Sequence, residues 1–367
     1  LFSRFKAGIK NKYLIDTINK YELPDLGKEF RIMINVAVLG CGRIGQMHCH
    51  NLVKSQKLNL HSVYDVNQEL AKQVGTQLNV SVRDSLDHIE NSSEVSAVVI
   101  ATSTDSHSAL TERFAQAGKA IFCEKPLDMN ISRAKRCLDF VKRIGGRVQL
   151  GFNRRFDPGH RKLKVLVEEG TIGDLHQLIV TSRDPGLPTK EYLKSSGGIF
   201  KDMTIHDFDI CRFILGEEPV EIFAVADALI DPTLLKSLND NDTAMVMMKT
   251  PSGRMAYINN SRSAVYGYDQ RIEAFGSNGM LISGNQRENE VRQYAKTQTE
   301  ASLPYLNFFV ERYQEAFAAQ FDSFADAIMS GDDFEATIED GYYALRLAEA
   351  ANLSLNENRP VRVDEVE

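Results

Sequence analysis

Cysteine is scarce and unpatterned in this sequence. Its five copies, Cys41, Cys49, Cys123, Cys137 and Cys211, make an odd total with no CxxC pair. That argues against both a disulfide framework and a zinc site, and a reducing cytoplasm is the expected location. No apolar run approaches the roughly 20 residues that a membrane span requires, so no membrane association is expected. Basic residues are outnumbered: 43 Lys and Arg against 50 Asp and Glu leave a formal charge of −7. A phosphate-binding surface needs clustered Lys and Arg, so a nucleic-acid partner is not expected. His, Cys and Asp do not cluster at metal-ligand spacing, and no metal is expected. Internal repeats and low-complexity linkers are missing as well.

What remains is the composition of a folded protein. Of 367 residues, 43% are hydrophobic and 25% charged, enough to bury a sizeable core and long enough for two domains. Residues 1–32 lack an initiator Met and precede Met33, where a strand pattern begins at once. They have the basic amphipathic look of a transit peptide, but Asp16, Glu22, Asp25 and Glu29 break its acid-poor composition. The expectation is an appended or upstream-translated extension.

From Ile34 the run INVAVLG reads as a buried parallel strand. Gly40-Cys41-Gly42-Arg43-Ile44-Gly45 follows, a full GxGxxG leading into a helical stretch. The first glycine permits a tight turn, the second lets backbone approach a pyrophosphate, and the third allows close helix–strand packing. The helix N-terminus then receives the phosphates. A second strand, LNLHSVYD, ends in Asp65, where a carboxylate can accept from the adenine ribose hydroxyls. That charge repels a 2′-phosphate and no Arg follows it, so NAD is expected over NADP.

Two further strands end in loops that belong at the same cofactor. VSAVVIA runs out at Thr102, with His107 just beyond, and KAIFC ends in Glu124-Lys125-Pro126. Thr102, His107, Glu124 and Lys125 are therefore cofactor candidates, although an isolated His at a helix start, such as His107, is more often structural. Farther on, FKDMTIHDFDICRFIL has helical spacing up to Gly216 and sets Asp202 four residues before His206. On one continuous helix these side chains share a face. A carboxylate beside an imidazole is a general-base arrangement, because it fixes the tautomer and stabilises the protonated ring.

Together the GxGxxG strand, Glu124-Lys125-Pro126, GFNRRFDPG at residues 151–159 and GGIFKDMTIHDFD at 197–209 resemble the glucose-fructose oxidoreductase, inositol dehydrogenase and MocA family. The resemblance covers essentially the chain from Met33 onward. GFNRRFD, the Ser182–Pro188 run and Tyr266-Gly267-Tyr268-Asp269 are most similar to its inositol 2-dehydrogenase branch. It implies that Lys125 meets the reacting hydroxyl, that Asp202 orients His206 as base, and that one of Arg154 and Arg155, with Asp184 and Tyr268, lines a polyol pocket. The activity implied is NAD-dependent oxidation of myo-inositol to its 2-keto form. Scyllo-inositol, an aldose, or transient oxidation by an NAD-dependent glycosidase are the alternatives.

After Gly151 the periodicity changes. Helical KLKVLVEEG and strand-like LHQLIVTS precede that Asp/His segment, and VEIFAVAD, TAMVMMKT, RMAYINNS and RIEAFG follow it as strands with Gly or Pro in their turns. They predict consecutive antiparallel hairpins. The fold class is thus α/β: a Rossmann dinucleotide-binding domain at 33–152 and an α+β domain with a mostly antiparallel open sheet at 153–367. By the resemblance, that open face builds a homodimer or homotetramer. From sequence, the Met-rich TAMVMMKT fits interface or core equally. Phe308, Phe309, Phe317, Phe321 and Phe324, in the closing helix, are expected to pack in the core.

Overall fold

The computed structural model describes residues 33–366; the expectation for residues 1–32 lies outside them. Short Val- and Ile-rich segments form the first sheet: β1 Ile34–Leu39, β2 Leu58–Tyr64, β3 Ser81–Val82, β4 Ala97–Ile100, β5 Ala120–Cys123 and β6 Val148–Leu150. Their order is β3-β2-β1-β4-β5-β6, and every adjacent pair is parallel. The chain runs outward from β1 to β3, then returns to lay β4 on the other side of β1. Ligands of such sheets bind at that reversal, outside the carboxyl ends of the strands. The crossover helices are amphipathic. Ile131–Ile144 buries Ala134, Cys137, Leu138 and Val141, is capped by the Asn130 side chain, and ends at Gly145 in the left-handed region.

The second sheet contains β7 Leu175–Arg183, β8 Glu221–Asp227, β9 Thr243–Lys249, β10 Met255–Ser261, β11 Asp269–Gly276, β12 Gly279–Ser283 and β15 Val361–Arg362. Its order is β12-β11-β7-β10-β9-β8-β15. β13 Arg292–Ala295 and β14 Gln298–Ser302 form a separate hairpin. The expected hairpins β8–β9 and β9–β10 are present, but β10 and β11 are not neighbours. β7 lies between them, parallel to β10 and antiparallel to β11. Turn residues report only local connections, whereas β7, made earlier in the chain, takes a central position that buries Leu178 and Val180.

β9 settles the place of its methionines by strand alternation. Ala244, Val246 and Met248 face the core, while Met245 and Met247 are 45% and 54% exposed. One contiguous apolar cluster runs from Leu39, Ile100 and Cys123 in the first sheet to Leu178, Val246 and Ile258 in the second. The closing aromatic segment is two helices, Phe309–Arg312 and Gln314–Ser330. Phe317, Phe321 and Phe324 are buried as expected, and Phe308 and Phe309 pack against the core while partly exposed. Among the described residues no helix is long and apolar enough to cross a membrane.

Candidate active site

The glycine loop follows β1. Gly40 has φ +94°, and a Cβ there would meet the Ala101 carbonyl oxygen at 2.4 Å; a Cβ on Gly45 would lie 1.8 Å from the Gly40 carbonyl oxygen. Neither position admits a side chain. A Cβ on Gly42 would meet nothing within 4 Å, so the space beside it is open where a pyrophosphate would approach. The helix Arg43–Lys54 starts here without a side-chain cap, leaving its first N–H groups for a ligand. Arg43 is exposed, its guanidinium 5.4 Å from the Phe309 ring centroid, and Ile44 is half-buried. Asp65, just past β2, accepts from the Cys41 amide at 2.7 Å and the Asn67 amide at 2.8 Å. Each carboxylate oxygen has a second lone pair for a ribose hydroxyl. These residues fit NAD.

The loops after β4 and β5 close this corner. Thr102 is half-buried, its hydroxyl 2.6 Å from that of Ser106. The Glu124 carboxylate lies 2.7 Å from Nε2 of the buried His48 and accepts from the Lys125 amide at 3.2 Å. Burial pushes its pKa up, but the His48 hydrogen bond and the charges of His48, Lys125 and His107 prevail and hold it below the usual value. His107 is not a direct cofactor contact. It is 1% exposed, with Nδ1 2.8 Å from the Pro126 carbonyl and Nε2 3.1 Å from that of Thr102. A buried imidazole must find partners, and these two tie one loop to the other.

Lys125 meets Asp202. Its ammonium donates to the Asp202 main-chain carbonyl at 2.9 Å and lies 3.4 Å from Oδ1. The same carboxylate accepts from the Tyr192 hydroxyl at 2.6 Å and from Nη1 of Arg262 at 3.0 Å. Burial would raise its pKa, yet Lys125, Arg262 and the Tyr192 hydrogen bond hold it below the carboxylate range.

The expected Asp202–His206 pair is not formed. The helix is broken into Gly198–Asp202 and Thr204–Leu215, so the i,i+4 rule does not apply across Met203. Thr204 sits at the break, its hydroxyl 3.2 Å from the Ile199 carbonyl and 2.6 Å from Asn260 Oδ1, the side-chain competition with helical backbone expected of Thr. Among the described residues no hydrogen bond joins Asp202 to His206. The half-buried His206 ring stands edge-on to Phe152, with centroids 6.2 Å apart, and its Nδ1 is buried without a partner. Burial first, then the charges of Lys125 and Arg154, hold its pKa well below the ordinary imidazole value. That shift favours the uncharged imidazole at neutral pH.

The adjacent arginines diverge. Arg154 pairs with Asp207 and donates to Ser182 Oγ at 3.1 Å, close enough for its charge to bear on His206, Asp184 and Tyr268. Arg155 instead forks onto Asp209 at 2.8 and 2.5 Å and reaches Asp340 at 3.1 Å. Those carboxylates saturate its guanidinium, which removes Arg155 from the candidate pocket.

Asp184 follows β7, Arg262 follows β10 and Tyr268 precedes β11. The register sets Ser261 and Asp269 opposite Arg183, so the three strand ends bring these residues together. Asp184 is fixed through its backbone, its amide donating to Ser261 at 2.9 Å and its carbonyl accepting from Ala264 at 2.7 Å. Burial and the negative charges of Asp202 and Asp207 outweigh Arg262 and Arg154 and push its carboxyl up to about 7. The Tyr268 ring stands edge-on to Phe308 and Tyr313, at 5.6 and 6.0 Å.

Sequence reasoning missed Arg262, Tyr192 and Asn260. A signal existed for two of them: the apolar strand beginning at Met255 ends in the polar run Asn259-Asn260-Ser261-Arg262. Tyr192 carried none. The assembled side chains offer an ammonium for an oxyanion and a neutral imidazole for a proton, beside a nucleotide-binding sheet.

Such a fold and site define a nucleotide-dependent oxidoreductase. The family model for oxidoreductases with an NAD-binding Rossmann fold matches residues 34–152, and that for the GFO/IDH/MocA C-terminal domain matches residues 160–282. The chain belongs to the GFO/IDH/MocA family. It is 42% identical to inositol 2-dehydrogenase of Rhizobium meliloti (strain 1021), over 90% of this chain and 99% of that protein. It is also 42% identical to myo-inositol 2-dehydrogenase of Thermotoga maritima, over 91% of this chain and 99% of that one. The structure of scyllo-inositol dehydrogenase from Lactobacillus casei with bound NAD(H) and scyllo-inositol superposes with a TM-score of 0.84, at 28% identity, over 90% of this chain and 99% of that one.

Proposed function

We propose that the protein oxidises a cyclic polyol, myo-inositol to 2-keto-myo-inositol, with NAD as acceptor. The observation that carries this reading is the ammonium of Lys125 held at Asp202 near a neutral His206, at the carboxyl end of a sheet with an open glycine loop. Bound NAD supplies the acceptor for the hydride that leaves the carbinol carbon. Gly40, Gly42, Arg43, Ile44, Gly45, Asp65, Thr102 and Glu124 hold the cofactor. Lys125 stabilises the developing alkoxide where its charge appears. His206 takes the hydroxyl proton on Nε2, the nitrogen left when Nδ1 is buried. Asp202 acts on Lys125, not on the imidazole. Arg154, Asp184 and Tyr268 contact the remaining hydroxyls.

Residues 33–152 form the nucleotide-binding domain in this reading, and 153–367 the domain for substrate and self-association. The outward face of the second sheet carries exposed Val225, Met245, Met247, Met255, Phe275 and Met280, a patch suited to a second copy of the chain. Five free cysteines support a cytoplasmic setting. The test is purified protein with NAD, screened against inositol isomers and common sugars while NADH absorbance is followed. NADH formed with myo-inositol is expected. A scyllo-inositol preference, supported by the likeness to the Lactobacillus casei enzyme, would reassign the isomer, and sugar-derivative cleavage without net NADH would replace the dehydrogenase by a glycosidase.

A further inference from the structure

We propose that Tyr192 is a positioning residue for this reaction: its hydroxyl, 2.6 Å from Asp202 Oδ1, shares that oxygen with Lys125 and so keeps the lysine ammonium available to the substrate. The proposal rests on the dehydrogenase reading above and extends it to a residue on a different segment.

Oδ1 of Asp202 receives two donors, Tyr192 at 2.6 Å and Lys125 at 3.4 Å, while Oδ2 receives Arg262 at 3.0 Å. A relaxed ammonium–carboxylate contact is shorter, about 2.7–2.9 Å. The lysine is therefore held near the carboxylate without closing on it, and the short tyrosine bond draws on the same oxygen and weakens it as an acceptor for the ammonium. Without the hydroxyl, Oδ1 has Lys125 as its one hydrogen-bond donor among the described residues. The ammonium is then drawn to Asp202 and away from a substrate oxyanion.

The same bond places the segment that follows Asp184. Between Asp184 and Gly197 the chain passes Pro185, Gly186 and Pro188 and forms one short helix, Lys190–Ser195. A helix of that length is marginal by itself, so its attachments decide where it sits. Leu193, 3% exposed, packs with Ala228 and Leu235. Tyr192, 41% exposed as a residue, makes the polar attachment through its hydroxyl. The titratable and charged groups that bear on Asp202 are Lys125 beyond β5, Arg262 beyond β10, Asp184 beyond β7 and Tyr192 itself; Arg43 of the glycine loop bears on Tyr192 as well.

Tyr192→Phe removes one oxygen from a half-exposed ring and is expected to fold. It should lower kcat roughly 10- to 100-fold, the worth of one hydrogen bond to a charged group, and leave the KM for NAD unchanged. Asp202 loses a donor that favours its charged form, so the acid limb of the kcat profile should begin at higher pH than in the wild type. Leu193→Ala is the control for a merely structural role: it should speed tryptic cleavage at Lys190 and Lys194 and raise the KM for the polyol, with the acid limb unmoved. Tyr192→Phe with wild-type kcat and an unmoved acid limb would overturn the proposal while the dehydrogenase reading stands. Wild-type protein that reduces no NAD with any polyol or sugar would remove that reading and the proposal together.

Discussion

Lys125 and Asp202 meet from opposite sheets: the lysine stands just beyond β5, and its Nζ lies 2.9 Å from the carbonyl of a residue that closes a helix beside the second sheet. The contact brings the charged group of one half onto the polar end of the other. Lys125→Met keeps the side-chain length and removes the charge. It should lower kcat by roughly 10² or more, as loss of one electrostatic donor does, with little change in NAD affinity. Steady-state kinetics with NAD and myo-inositol checks this, and a near-normal kcat would return Lys125 to an ordinary loop lysine.

His206 should lack a titration limb near the ordinary imidazole pKa, because burial, Lys125 and Arg154 hold it well below that value. His206→Ala should lose about 10² to 10⁴ in kcat, the range for a positioned base. Stability carries the same sign. Between the depressed folded pKa and about 6.5 the unfolded chain binds a proton that the folded chain does not. The imidazole's contribution is complete above about 6.5 and is lost as pH falls. The melting temperature of His206→Ala should therefore drop less between pH 7 and pH 5 than that of the wild type. An equal drop would mean that His206 is not desolvated.

Asp184 should titrate at about 7. An ionised carboxylate accepts stronger hydrogen bonds from hydroxyls than a neutral one, so the KM for the polyol should fall as pH rises through about 7, and Asp184→Asn should flatten the step. The raised pKa also makes ionisation unfavourable to folding: the penalty is absent below the unfolded value and complete above about 7. Asp184→Asn should accordingly raise the melting temperature more at pH 8 than at pH 5.

Asp65 is expected to select the cofactor. The wild type should turn over NAD far better than NADP, and Asp65→Ala should narrow that gap by weakening NAD binding, since the ribose loses its acceptors. Measured kcat/KM for both cofactors decides it. A wild type that prefers NADP would mean that Asp65 does not face the ribose.

The nucleotide half of the fold was legible because its signals are local. The apolar runs of β1 and β5 and the glycine spacing each need only a few neighbouring residues to take effect, and Gly40, Gly42 and Gly45 stand in the relations their spacing implies. Asp202 and His206 misled for the complementary reason: spacing says which side chains meet on a continuous helix, and Thr204 sits where this helix breaks. Arg154 and Arg155 are neighbours in sequence, so nothing local shows that one turns to Asp207 and the other to Asp209. Arg262 and Tyr192 reach Asp202 through strand register and a short capped helix, both fixed by residues far away in the chain.

The parallel pairing of β7 with β10 also dictates whether the site exists. Those strands are distant in sequence and cannot be joined by a hairpin, so a long loop must close before Ser261 comes to rest opposite Arg183. Pairings of this kind form slowly, after local turns and helices. Until that register is set, Arg262 has no fixed place beside Asp202 and Asp184 has no backbone partner in Ser261, however much helix the chain has already made. The site thus depends on a pairing made across a long stretch of chain, and without that register Asp202 would lack its Arg262 partner.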